Sequence, residues 1–316
     1  MKRSVEQMIP DVWRLFLANL VLFVPPVFIF FVYIAIFFAF AVGFGFSVFL
    51  KVSDWKEALS TFSEDTWREL LSQVSLFAGA MFLSFLAVLF VVNVIHGSGW
   101  GNMFSRAAAA GRTGLGDYFE GISRFVLRIA AGSILKLCVQ MIPVLGSAVV
   151  VAGLVLGGGG GGWAAGGVAA LLLFPLVLAS ELAIALFLWM WRPACFIEDV
   201  SAVEAFSRSF SFVRKNFFQI VILFLIWIVA GMFVAGLFAL IRFAGQMAVQ
   251  SGGWETGLAA LYLMITFGAN VVSSLLSLAI ATFFLLFFYR LYVERTPAPG
   301  VPPGPPPPPD YGVEWL

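Results

Sequence analysis

A chain of 316 residues in which 61% are hydrophobic and 11% charged cannot coat a water-soluble globule, because soluble domains devote roughly 25% of their residues to charge. A formal net charge of +1 gives no basic field for nucleic acid. The two cysteines, Cys138 in an apolar segment and Cys195 in a basic loop, have no metal-ligand spacing and are not expected to form a disulfide.

No cleavable signal peptide is expected, since the first apolar run begins only after Arg14 and continues to Leu50. That run holds no charge for 36 residues. As straight helix it would reach ~54 Å, against a hydrocarbon core of ~30 Å. It is read as one long span, 15–48, kinked at Pro25–Pro26, with a re-entrant pair as the alternative. A second span covers 71–95. The third and fourth, 125–156 and 164–191, are divided by the glycine run Gly157–Gly162, whose backbone entropy favours a turn. The fifth covers 217–240 and the sixth 258–288. The fold class is therefore all-α and polytopic, with about six transmembrane helices across 1–295.

Lys and Arg set the orientation. Alternate segments hold 13 basic residues on one side, including Arg14, Arg112, Arg128, Arg192, Arg214 and Arg295, against Lys51, Lys56, Arg68 and Arg242 on the other. The richer side is read as cytoplasmic, with both termini there. The segments before spans one, three and five also look alike. VEQMIPDVWRLFLANLVLF, DYFEGISRFVLRIAAG and VEAFSRSFSFVRKNFFQIVILF each run from an amphipathic stretch into an apolar helix. We read three hairpins, each preceded by a cytoplasmic surface helix.

The last surface helix is the best defined. Ser201 to Glu204 fits a capping box, and Val203, Phe206, Phe210, Val213 and Phe217 recur at helical spacing. Glu204 and Arg208 sit one turn apart, and Arg214 and Lys215 suit the helix C-terminus. Such a helix either lies in the headgroup region with Phe206 and Phe210 among acyl chains, or packs on the ends of the bundle.

RPACFIEDVSAVEAFSRSFSFVRKNFF, following an apolar helix, resembles the repeated feature of glycerophosphoryl diester phosphodiesterase membrane-domain-like proteins and related uncharacterised polytopic families. The earlier GWGNMFSRAAAAGRTGLGDYFEGISRF is similar to their equivalent segment. The likeness covers roughly Trp100 to Phe218. It implies a six-helix cytoplasmic-membrane protein and no activity. The catalytic chemistry of that family needs several His and carboxylate residues, and the only histidine here is His96.

Two ionisable residues fall inside spans, Lys136 and Glu181. A charge at membrane depth costs ~2.5–3.5 kcal/mol on insertion scales, so each needs a reason. Lys136 lies eight residues past Arg128 and Glu181 ten before Trp191, so both sit ~12–15 Å from the boundary. An ion pair between antiparallel neighbours is expected, with Gln140 on the Lys136 face. The pair either locks the hairpin or forms part of a pathway. On the sixth span Thr266, Asn270, Ser273 and Ser277 form one polar face, which either lines that path or cements helix contacts.

The tail 296–316 is proline-rich and expected to stay extended, with Pro308-Pro309-Asp310-Tyr311 matching a WW-domain ligand. No catalytic constellation, metal site or cofactor is indicated. The expected partner is membrane lipid. The expected function is a structural or regulatory membrane protein that organises lipid or partner proteins through surface helices. The alternative is a transporter or lipid-handling permease built on the polar groups around Lys136 and Glu181.

Overall fold

The structure, a computed structural model, describes the backbone of residues 3–52, 64–157, 161–252 and 256–296, and within these the side chains outside 46–74 and 248–261. In chain order the elements are α1 (Val5–Ala18), a 3-10 turn (Leu20–Phe23), α2 (Val24–Val52), α3 (Glu64–Ala110), α4 (Leu115–Gly157), α5 (Gly162–Phe187), α6 (Trp191–Ile197), α7 (Ala202–Lys215), α8 (Phe217–Gly252) and α9 (Thr256–Arg295). No strand occurs among the described residues. Six helical segments are long and apolar enough to cross a membrane: Leu20–Gly45, Ser75–Ala110, Leu115–Gly157, Gly162–Ile197, Phe217–Met247 and Tyr262–Arg295. This is the build of a multi-pass membrane protein. The tail from 297, with its Pro-Pro-Asp-Tyr motif, lies outside the described residues.

Three sequence expectations change. The first apolar run is not one helix kinked at its prolines. It breaks at Asn19, and Pro25 and Pro26 fall in the first turn of α2, where a missing N–H costs nothing because no helical acceptor precedes it. The helix of the second span does not stop at 95: α3 runs on to Ala110 through Gly97, Gly99 and Gly101. The middle amphipathic stretch is not a separate surface helix, because Leu115 to Gly157 is one continuous helix of 43 residues.

The extensions carry the core. Buried apolar residues gather at one end of the molecule: Met8, Val12 and Phe16 of α1, Met103 and Phe104 of α3, Phe125 and Ile129 of α4, Trp191 and Phe196 of α6, Phe212 and Val213 of α7, and Phe287, Leu291 and Tyr292 of α9. The helices cross closely there. A Cβ on Gly121 would lie 2.6 Å from the Ser98 carbonyl oxygen, so only glycine lets α3 and α4 approach this far. A Cβ on Gly132 would lie 2.3 Å from the Trp191 ring.

Polar staples complete this packed end. Asn19, 1% exposed, donates to the Leu15 carbonyl at 2.7 Å and the Gly111 carbonyl at 3.1 Å, and accepts from the Thr113 N–H at 2.8 Å. It thereby ties the end of α1 to the α3–α4 turn, where Gly111 takes the left-handed conformation (φ 80°) common just past a helix end. Arg290 of α9 donates to the Ala108 carbonyl at 2.8 Å, and Arg295 donates to the Arg3 carbonyl at 2.8 Å. The two ends of the described chain therefore meet on one side.

Beyond this end the helices associate as α2 with α3, α4 with α5, and α8 with α9. The outer stretches are largely exposed along their length, as at Phe174, Leu182, Val229 and Phe233.

Candidate functional site

Where the helix pairs leave the packed end they enclose a cavity of about 420 Å³. Helix α3 lines it with Asn93, Gly97 and Trp100; α4 with Ser133, Lys136 and Gln140; the α5–α6 turn with Trp189 and Arg192; and α9 with Phe288 and Tyr289. Each side chain arrives there for a local reason. Ser133, Lys136 and Gln140 are three and four residues apart, so they share one face of α4. Leu188 to Met190 form a tight turn between α5 and α6, which places Trp189 and Arg192 on the cavity side.

Two cations face this space. Arg192 has its guanidinium beside Gly97, where a Cβ would be 3.5 Å from one terminal nitrogen. The guanidinium carbon lies 5.6 Å from the Trp191 ring centroid. Arg192 is exposed by area and lines the cavity. Neither Arg192 nor Lys136 has a hydrogen-bond acceptor or carboxylate partner among the described residues, and no Asp or Glu lines the cavity among them. Neutral polar groups complete the set. The Tyr33 hydroxyl of α2 donates to the side-chain amide oxygen Oδ1 of Asn93 at 2.8 Å, linking the first span to the cavity wall. His96 sits behind the wall, stacked on Trp100 with centroids 5.2 Å apart and 3.3 Å from the Tyr118 hydroxyl.

The expected Lys136–Glu181 ion pair does not form. Gln140, one turn further along α4, donates instead to one Glu181 carboxylate oxygen at 3.3 Å. The other oxygen is buried without a partner. Counting residues from the basic boundary matched depth only to within a helical turn, ~5.4 Å, and one turn decides which side chain meets Glu181. Lys136 is thus released to the cavity, and Glu181 reaches it only through Gln140. The polar face of the sixth span does not join them. Asn270 accepts from Arg242 at 3.3 Å, and neither it nor Ser273 nor Ser277 lines the cavity. Arg192 was legible only as a basic flank to a Trp pair.

The helix α7 has two apolar sides. Ala205, Ser209, Phe212 and Val213 face the core, and the Ser209 hydroxyl donates to the Phe187 carbonyl at 2.7 Å. The expected stripe falls mostly on the other side. Val203 and Phe210 are exposed, Phe210 stacks on Phe187 at 4.8 Å, and Phe206 leans on Trp191 at 5.3 Å. Ser201 caps the helix by accepting from the Glu204 N–H at 3.4 Å, and Glu204 pairs with Arg208 at 3.1 Å. Arg214 and Lys215 lie in its last turn. In the turn before α7, Asp199 (φ 56°) accepts from Arg124 at 2.6 Å and Arg128 at 2.5 Å. Burial raises the Asp199 pKa, but these two guanidiniums outweigh it and hold the carboxyl below its usual value.

A family model described as Domain of unknown function (DUF7847) matches residues 4–295. The chain belongs to this family. The match spans the helices, the packed end and the cavity together, so one family unit includes the whole described structure. No curated protein and no solved structure matches the chain. The kinship with phosphodiesterase membrane domains implied by Trp100–Phe218 is not shown by these comparisons; membership of an uncharacterised family is.

Proposed function

We propose that this is a ligand-binding protein of the cytoplasmic membrane that holds an anionic molecule in the cavity at Lys136 and Arg192. The observation that carries this reading is a pair of cations without protein counter-charges, facing a shared space between helices. An unpaired charge at membrane depth is costly, and such residues mark binding sites and pathways far more often than structural positions. Three groups that can donate or accept, Asn93, Ser133 and Gln140, supply the orienting contacts that a pocket of this size uses. The role is binding or transfer of the ligand, not its chemical conversion.

In this reading the packed end is cytoplasmic and carries both termini, supported by the basic residues gathered there, among them Arg106, Arg124, Arg128, Arg208 and Arg290. The six spans then form three hairpins. The surface helices α1 and α7 frame the site. The exposed Val203 and Phe210 of α7, with the half-buried Phe206 between them, rest in the membrane interface, with Arg208, Arg214 and Lys215 toward anionic headgroups. A purely scaffolding role would need the surface helices but not the cavity, so the cavity favours ligand handling.

The test is a titration of the purified protein, in an uncharged detergent, with dodecyl phosphate while tryptophan emission is followed, since Trp100 and Trp189 line the cavity. Wild type should show a saturable change and Lys136→Met/Arg192→Met none. A wild type without a saturable change overturns the proposal.

A further inference from the structure

The chemistry of the cavity narrows the ligand, resting on the anion-binding reading above. We infer that the occupant is a phospholipid with an anionic headgroup, drawn from the leaflet beside the packed end, with its phosphate between Lys136 and Arg192.

Depth is the first argument. Arg128 is anchored to Asp199 in a polar turn at 2.5 Å, and Lys136 follows it by two helical turns, ~12 Å. The lysine side chain tilts back toward the helix N-terminus, at the packed end, and is long enough to bring its ammonium from this level toward the phosphates of the nearer leaflet. A dissolved anion would have to leave water to reach this level. A phospholipid is already there.

The division of the walls is the second. The polar groups cluster around the two cations, while Phe90, Leu137, Trp189, Leu285 and Phe288 make the remaining surface apolar. A free phosphate presents oxygen in every direction and would leave this apolar wall against a hydrated ion. A phospholipid presents oxygen at one end and hydrocarbon at the other. The third argument is access. The α4–α5 pair makes at most marginal contact with the α8–α9 pair, and residues of both pairs facing outward, such as Leu137 and Leu276, are exposed and apolar, which leaves room for a lipid to enter from the side. Acyl chains can stay there while the head is bound.

Charge selects among phospholipids. Two cations face a single phosphodiester with no carboxylate in the lining to receive an ammonium group. A zwitterionic head would place its own cation beside Lys136 or Arg192. An anionic head adds no such repulsion.

The experiment is a thermal-shift titration of the full chain in uncharged detergent against four probes: a dihexanoyl phosphatidylglycerol, a dihexanoyl phosphatidylcholine, glycerol phosphate and dihexanoylglycerol. The anionic phospholipid should stabilise at the lowest concentration, with phosphatidylcholine about tenfold weaker or worse and the other two inactive. Replacing either cation with Met should weaken the anionic lipid by about ten- to a hundredfold. A Lys136→Arg/Arg192→Lys variant, which keeps both charges, should retain most of the shift and separates binding from folding. If glycerol phosphate matches the phospholipid, the site binds anions but the lipid inference is wrong. If dihexanoylglycerol matches it, or no probe binds, both readings fall.

Discussion

The two ends of these helices are built for different solvents, and their side chains show it. At the packed end, residues from α1, α3, α4, α6, α7 and α9 share one buried core. Along the spans, the most apolar windows of the first four long helices contain no buried residue, and those of the last two only 17% and 28%. In the proposed reading water drives the first arrangement, since apolar side chains leave it at a gain of ~25 cal/mol per Å². Lipid gives no such drive, because acyl chains are as apolar as the helices, so association rests on shape and polar contacts. In the proposed reading, helix pairs diverge in the membrane and are clamped together outside it. The cavity forms at the junction.

Glycines break or sharpen this contrast most directly. Gly101→Ala would set a Cβ 2.1 Å from the Phe196 ring, and Gly121→Ala would strike a backbone oxygen that cannot move away. Each should lower the thermal midpoint in detergent substantially, by the equivalent of about 1–3 kcal/mol or more. Trp191→Ala should cost about 3–5 kcal/mol, since it empties a site that is 3% exposed in the core. Equal effects from Gly153→Ala or Gly231→Ala in the spans would remove the distinction between the two regions.

Asn19→Ala should cost about 1–3 kcal/mol by stranding the Thr113 N–H and the Gly111 carbonyl, again read as a lower midpoint. By contrast Gly153→Ala and Gly231→Ala meet nothing within 4 Å. They should be neutral or stabilising by at most ~1 kcal/mol, because alanine holds helix better than glycine.

Acid offers the smallest and most local test. The Asp199 pKa lies below its unfolded value, so its bridge to Arg124 and Arg128 is fully present above that unfolded value, ~3.9. It is lost as pH falls through the lower folded value. Protection of the amides in the turn before α7, measured against their intrinsic exchange rate, should fall below pH ~4, and Asp199→Asn should show that low protection already at neutral pH.

The spans were legible because a helix in lipid must be apolar for some 20 residues, a signal that no tertiary contact can override. The packed end was not. Gly97, Gly99 and Gly101 read as loop by propensity, yet they stay helical because Arg192, Tyr118 and Phe196 press against that face. Pro25–Pro26 read as a kink because the break at Asn19 left no mark on hydropathy. Lys136 stood out as an odd charge in a span, and Gln140 as its neighbour on the same face. Their partner did not, because Arg192 at a span end looks like any basic flank. That it turns inward depends on the tight turn at Leu188–Met190, which sequence spacing does not reveal.

The most direct measurement is the phosphorus content of the protein purified from its own membrane in a mild uncharged detergent, read alongside native mass spectrometry. Wild type should retain stoichiometric anionic phospholipid through extensive washing, and Lys136→Met/Arg192→Met should lose it while melting like wild type that has been stripped of lipid. Equal retention by the two proteins, or none by wild type, would contradict a lipid-binding role for the cavity.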